Sequence, residues 1–231
     1  MLRVVDAALN GHGVYSVSGA ARYARMPAST IRQWFFPARG RKGVRGGDIT
    51  DPQHQALSFF DFVEALAVRA LRKDHGVSLK DIRTAIDFAQ QQYGVQHIFA
   101  REDHRTLLDE SGQLHIVLAG ERDPIKISGK NLGQQSFQTC VELYMRDLQF
   151  RGDGLAQWYT AFRYQEESVI MNPAYHFGEP SMKQSGYPAE ILWRAAIAEG
   201  GIEQAAEIYN TSVVSLEAAY RYCHGELGQA A

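Results

Sequence analysis

The sequence predicts a mainly α-helical protein with a small antiparallel β component, and three observations predict it. Apolar residues recur at helical spacing from 57 to 93 and again from 189 to 223. Between them, from 96 to 133, the chain breaks into short apolar segments separated by polar turns, the mark of a small sheet. Near the N-terminus, two short amphipathic stretches meet at Pro27 and read as a helix pair. These changes of pattern place domains at 1–95, 96–168 and 169–231.

Residues 16 to 34, SVSGAARYARMPASTIRQW, read as two helices joined by a tight turn. Ser18 is the expected cap of the first, and Ala20, Ala21 and Ala24 give it a small face on which the second can sit closely. Met26 fills the turn. Pro27 suits the start of the second helix, where its missing N–H is no loss, and Ile31 with Trp34 forms an i, i+3 apolar face. The other face shows Ala28, Ser29, Arg32 and Gln33, the small, hydroxyl, guanidinium and amide groups that a major groove accepts. Ser18, Arg22 and Thr30 complete the helical part of the expected DNA-binding set.

Residues 37 to 47, PARGRKGVRGG, follow with Arg39, Arg41, Lys42 and Arg45 among four glycines. From residue 7 to 47 there are seven Arg or Lys and no Asp or Glu, an electrostatic footprint for a phosphate backbone. A glycine-spaced basic hairpin behind a recognition helix reads as a wing, so the N-terminal domain is expected to be a winged helix-turn-helix.

The run 57 to 73, capped by Ser58 and ended by Gly76, and the run opened by Ser78 with Asp81 three residues on, are expected to close the core of that domain. Phe59, Phe60 and Phe62 lie on helical periodicity and read as core rather than as a base-stacking platform. The segments HIFA, TLLDESGQLHIVL and PIKIS read as strands, with a hairpin loop at 109 to 112. Residues 137 to 148 return to helical spacing, and 157 to 164 read as a short aromatic turn or strand. Beyond 169 come short strands and turns rich in Pro and Gly. A helix over 189 to 198 and a helix-turn-helix-like pair over 202 to 223 follow, with Ala205, Ala206, Val213, Leu216, Ala219 and Tyr220 expected inward. Between Glu199 and Glu217 there is no Arg or Lys, so this second pair is expected to meet protein, not nucleic acid.

The net charge of −2 hides a split: residues 1 to 75 carry 11 Arg and Lys against 6 Asp and Glu, and 76 to 231 carry 13 against 20. With 231 residues and 45% apolar content, the chain can bury a substantial core. Two distant cysteines, Cys140 and Cys223, argue against a disulfide framework, and neither a signal peptide nor a membrane-length apolar run is present. A cytoplasmic protein without membrane contact is expected. Catalysis has little under it: there is no phosphate loop after a strand, no Cys/His pair at ligand spacing, and Glu166 and Glu167 are adjacent, so their carboxylates diverge. Neither cofactor nor metal is expected, and His97, His104 and His115 read as surface or hydrogen-bonded residues.

These residues carry a resemblance. The first eighty or so residues resemble the MerR-like winged helix-turn-helix, with Ala21, Met26, Ile31, Arg32 and Trp34 at its buried and phosphate-facing positions. The last sixty resemble a small uncharacterised helical domain, of pattern NP…FGxP…xP…L…EG…EAA, found beside PIN-type toxins. Together they are similar to the larger VapB-type antitoxins. The resemblance implies a DNA-binding repressor of its own operon that neutralises a PIN-type ribonuclease. Where that C-terminal domain commonly has a Gly-Thr-Arg run before its proline, this chain has Gln184, Ser185, Gly186, Tyr187 and Pro188, so no contact is expected from that arginine. A homodimer on double-stranded operator DNA is expected because one short recognition helix reads few base pairs. A second reading replaces the toxin by a small-molecule effector, held in a pocket lined by the aromatics of 137 to 164.

Overall fold

A computed structural model describes residues 13–44, 55–133, 140–142 and 147–225. Ten strands and seven α-helices are described, and the strands form three antiparallel sheets of two to four strands. The protein is therefore of mixed α/β class, and the expectation of a mainly α chain with a winged helix-turn-helix is corrected. The described residues divide into two compact units, one holding 13–44, 55–133, 140–142 and 150–156, the other 147–149 and 157–225.

In the N-terminal unit, β1 (Gly13–Ser16) leads into α1 (Val17–Tyr23) and α2 (Ala28–Phe35), and β2 (Ala56–Ser58) pairs with β1. Helices α3 (Phe59–Lys73) and α4 (Leu79–Tyr93) follow. Ser58 caps α3 in a full capping box with Asp61, and the Ser78 side chain accepts the Asp81 N–H at the start of α4. Phe59 and Phe62 are fully buried and Phe60 nearly so, as helical periodicity predicts. The sheet of this unit runs β5-β4-β3-β6, with β3 Arg105–Asp109, β4 Leu114–Val117, β5 Ile125–Lys126 and β6 Cys140–Glu142.

Three local expectations change here. Residues 97 to 100 form turns, not a strand. Residues 140–142, read as part of a helix, extend instead along β3, because pairing with an open sheet edge outweighs the weak propensity of a short apolar run. The basic stretch contains no strand between 37 and 44, and the ribbon beside the helix pair joins β1 to β2, so no wing is formed there among the described residues. Pro37 cannot donate to a ladder, and Gly40, at φ 85°, turns the chain back within four residues.

The C-terminal unit is an antiparallel sheet carrying three helices, so the short strands expected beyond 169 belong to a four-stranded sheet that the helical domain expected there did not include. Its strands run β10-β9-β8-β7, with β7 Leu148–Phe150, β8 Ala156–Tyr164, β9 Glu167–Met171 and β10 Ser181–Met182. Helices α5 (Ala189–Ala198), α6 (Ile202–Ile208) and α7 (Val213–Cys223) bury Leu192, Ala205, Leu216 and Ala219 with Phe162 and Met182. Val213 and Tyr220, expected inward, are exposed, because α7 turns its small residues Ser215, Ala218 and Ala219 to the core. Glu167 is 1% exposed and accepts from the Ser215 hydroxyl at 2.5 Å and the Ser168 N–H at 2.8 Å, tying α7 to the sheet. None of the described helices is long and apolar enough to cross a membrane.

Candidate nucleic-acid interface

The candidate interface is built by α1, α2 and the turn behind them. Ser16, not Ser18, caps α1, its hydroxyl accepting the Gly19 N–H at 3.0 Å, so Ser18 lies inside the helix on its exposed side. Ala20, Ala21 and Ala24 are buried at 0–4% and allow α2 close approach. The turn is held from two sides. Met26 N–H donates to Ala21 O at 2.9 Å, and the Arg69 guanidinium of α3 donates to Ala24 O. Arg25, which no motif in the sequence singles out, takes a left-handed φ of 51° in this turn and is exposed.

Pro27 is the N-cap of α2 and provides no side-chain cap hydrogen bond, and the Thr30 N–H donates instead to Pro27 O at 2.9 Å. Ile31 and Trp34 are buried at 0% and 5% and seat the helix on the core. Ser29, Arg32 and Gln33, at i, i+3 and i+4, form one exposed stripe, with Ala28 and Thr30 half-buried beside it. On α1, Ser18 and Arg22 are exposed at i and i+4, and the Arg22 guanidinium bonds the Tyr23 hydroxyl at 3.0 Å and lies over its ring.

The basic turn joins this surface through its backbone. Val44 is 2% exposed and its N–H donates to Trp34 O at 2.7 Å, while Arg83 Nε of α4 donates to Gly43 O at 2.7 Å. These two anchors hold exposed Arg39, Arg41 and Lys42 beside the C-terminal end of α2. Arg45 lies outside the described residues. No acidic residue falls between 13 and 44, so α1, α2 and the turn behind them contribute charge of one sign.

The acidic and histidine side chains of this unit are placed differently. Burial opposes ionisation of Asp103, yet hydrogen bonds and charge from Arg101 and His104 hold its carboxyl down at about 2. Burial also opposes ionisation of Asp109, and N–H groups of Gln113 and Ser111 together with His115, 2.8 Å away, still lower it. This buried Asp–His pair spans a hairpin and has no motif in the sequence, although the spacing of 109 and 115 across a four-residue loop permits it. Asp61, Glu64 and His97 bring one donor atom each within 4.8 Å of one another, and among the described residues they are the group that could hold a cation. Asp61 Oδ2 is already engaged there by the Ser58 N–H and hydroxyl. Glu166 and Glu167 diverge as expected, the first exposed and the second buried.

No protein-family model matches the chain. A curated protein of Mycobacterium tuberculosis, "Putative antitoxin VapB45", is 27% identical over 188 residues, covering 75% of this chain and 78% of that protein. The crystal structure of Rv2018 from Mycobacterium tuberculosis superposes with a TM-score of 0.60 at 19% identity, over 90% of this chain and 97% of that one. That likeness establishes a shared fold.

Proposed function

We propose that this chain is the antitoxin of a toxin–antitoxin pair. In this reading the N-terminal unit holds the operator of its own operon, and the C-terminal unit neutralises a PIN-type ribonuclease. The observation that carries the reading is the 27% likeness to a protein named as an antitoxin, which extends over three quarters of this chain. The surfaces agree with it in physical terms. Ser29, Arg32 and Gln33 stand outward from α2, with Arg39, Arg41 and Lys42 fixed beside them, a combination that suits base edges and flanking phosphates. The opposite chemistry marks the C-terminal unit. Of nine large apolar side chains exposed among the described residues, eight lie between 175 and 220 and only Leu132 lies elsewhere, so apolar surface awaits cover in that unit.

Two copies on two half-sites supply the specificity one eight-residue recognition helix lacks, so a homodimer belongs to the same reading. The test is ribonuclease inhibition. The purified product of the reading frame adjoining this gene is expected to cleave RNA alone and to lose that activity on addition of one equivalent of the chain. Cleavage that continues unchanged in the presence of excess chain contradicts the assignment.

A further inference from the structure

We propose that the C-terminal unit receives its partner on an acid-rimmed aromatic surface centred on Phe177, and that the occupant is a basic protein segment with an apolar centre. The proposal rests on the antitoxin reading and assigns the surface that reading leaves open. An unusual turn creates this surface. His176, Phe177 and Gly178 have φ of 47°, 53° and 81° in succession, a left-handed run that side chains rarely adopt. The turn is fixed by His176 Nε2 against Gly186 O at 3.0 Å and by the Gly178 N–H donating to Tyr175 O at 2.9 Å. Its product is that Phe177, at 70%, is the most exposed large apolar side chain among the described residues, with Tyr175 at 58% beside it.

The surface continues across the fold. The His176–Gly186 contact sets the turn next to Tyr187, whose ring meets that of Tyr209 edge-on at 5.8 Å. Ile208, 60% exposed, precedes Tyr209 at the end of α6. Tyr175, Phe177, Tyr187 and Ile208 thus lie on three segments of chain that the His176–Gly186 and Tyr187–Tyr209 contacts bring together.

Charge selects the occupant. Residues 169 to 220 hold Glu179, Glu190, Glu199, Glu203, Glu207 and Glu217 against Lys183 and Arg194, and Arg194 is itself bonded to Glu190 at 2.6 Å. Exposed Glu179 follows the Phe177 turn, and exposed Glu203 and Glu207 line α6 ahead of Ile208. Nucleic acid is repelled by such a rim. A second copy meeting this face isologously would set acid against acid. A partner that buries the aromatics while placing Lys or Arg against the rim satisfies both features.

The experiment is calorimetric titration of the full chain with the purified product of the adjoining reading frame, at low and high salt. Four proteins are compared: wild type, Phe177→Ala, Phe177→Asp and Glu203→Lys/Glu207→Lys, with melting temperature confirming each fold. Wild type is expected to bind with affinity that falls as salt rises. The Phe177 variants are expected to weaken binding about tenfold or more, and the double charge reversal to do the same while flattening the salt dependence. The exposed glutamates keep the test decisive if Phe177→Asp fails to fold. Wild-type binding unaltered by the folded variants overturns this surface and leaves the antitoxin reading standing. No binding by wild type removes both. Partner affinity that survives while Phe177→Asp lowers the chain's own mass in light scattering makes the surface a self-association face and overturns the proposal.

Discussion

Arg32 and Gln33 are neighbours on one exposed stripe of α2, yet their chemistry assigns them different work. A guanidinium on phosphate holds any sequence, whereas an amide can bond adenine N6 and N7 together and is worth roughly 1–3 kcal/mol of discrimination. Arg32→Ala is therefore expected to weaken operator and scrambled duplex alike, and Gln33→Ala to weaken the operator selectively, in anisotropy titrations at one salt concentration. Equal losses for Gln33→Ala on both duplexes would show that this residue reads no base. Asp103 supplies a pH dependence within the N-terminal unit. Its carboxyl is lowered from 3.8 to about 2. Its contribution is thus complete above the unfolded value and is lost as pH falls from about 4 toward 2. Allowing for its solvent contact, Asp103→Asn should cost about 1 kcal/mol at neutral pH and clearly less at about pH 2, read by urea melts at both pH values. Single residues are legible where one local bond decides them, as at the caps Ser58 and Ser78. The cap of α1 is not, because two serines compete within three residues, and only the helix start at Val17 selects Ser16.

At the level of elements, periodicity identifies α3, α4 and α5 to α7: α4, α5 and α7 each bury one stripe, and α3 is buried over most of its surface. It fails where pairing between distant segments decides the outcome. Residues 140–142 carry apolar spacing that fits a helix, and an open edge of β3 claims them. The basic turn has the composition of a hairpin and no partner strand in the range 37 to 44, and its position comes from Val44 and Arg83 instead. Because backbone anchors set that turn, replacing Arg39, Arg41 and Lys42 by Ala should leave it folded while removing its cations. The slope of log affinity against log salt should shrink by up to about 0.9 for each phosphate that is no longer neutralised. An unchanged slope would mean that the turn meets no DNA. The Glu167 staple, invisible to local pattern because Ser215 is 48 residues away, makes a separate expectation for the C-terminal unit. Glu167→Ala leaves the buried Ser215 hydroxyl without its acceptor and should destabilise that unit by about 3 kcal/mol in denaturant melts. A loss below about 0.5 kcal/mol would mean the bond is replaced by solvent.

For the whole molecule, the unequal division of charge is already visible in the sequence, and the structure gives each side a surface. The segment 13 to 44, which holds α2 and the turn behind it, contains no acid, and from 169 to 220 acid predominates among exposed apolar side chains. A chain built this way is suited to carry a polyanion and a basic protein at once. The C-terminal sheet is legible only in part: short strands can be read at 157 to 164 and beyond 169, but strands of two to nine residues broken by turns leave too little periodicity to join them into one sheet. DNA binding is the half of that division most directly open to measurement. The full chain should be titrated against the duplex lying upstream of its own gene and against a scrambled duplex of equal length and composition, across a range of salt. Binding to the upstream duplex is expected to be tighter by a factor of about a thousand or more at physiological salt, with steep salt dependence on both. Equal affinity for the two duplexes, or none for either, would contradict a sequence-reading role for α2.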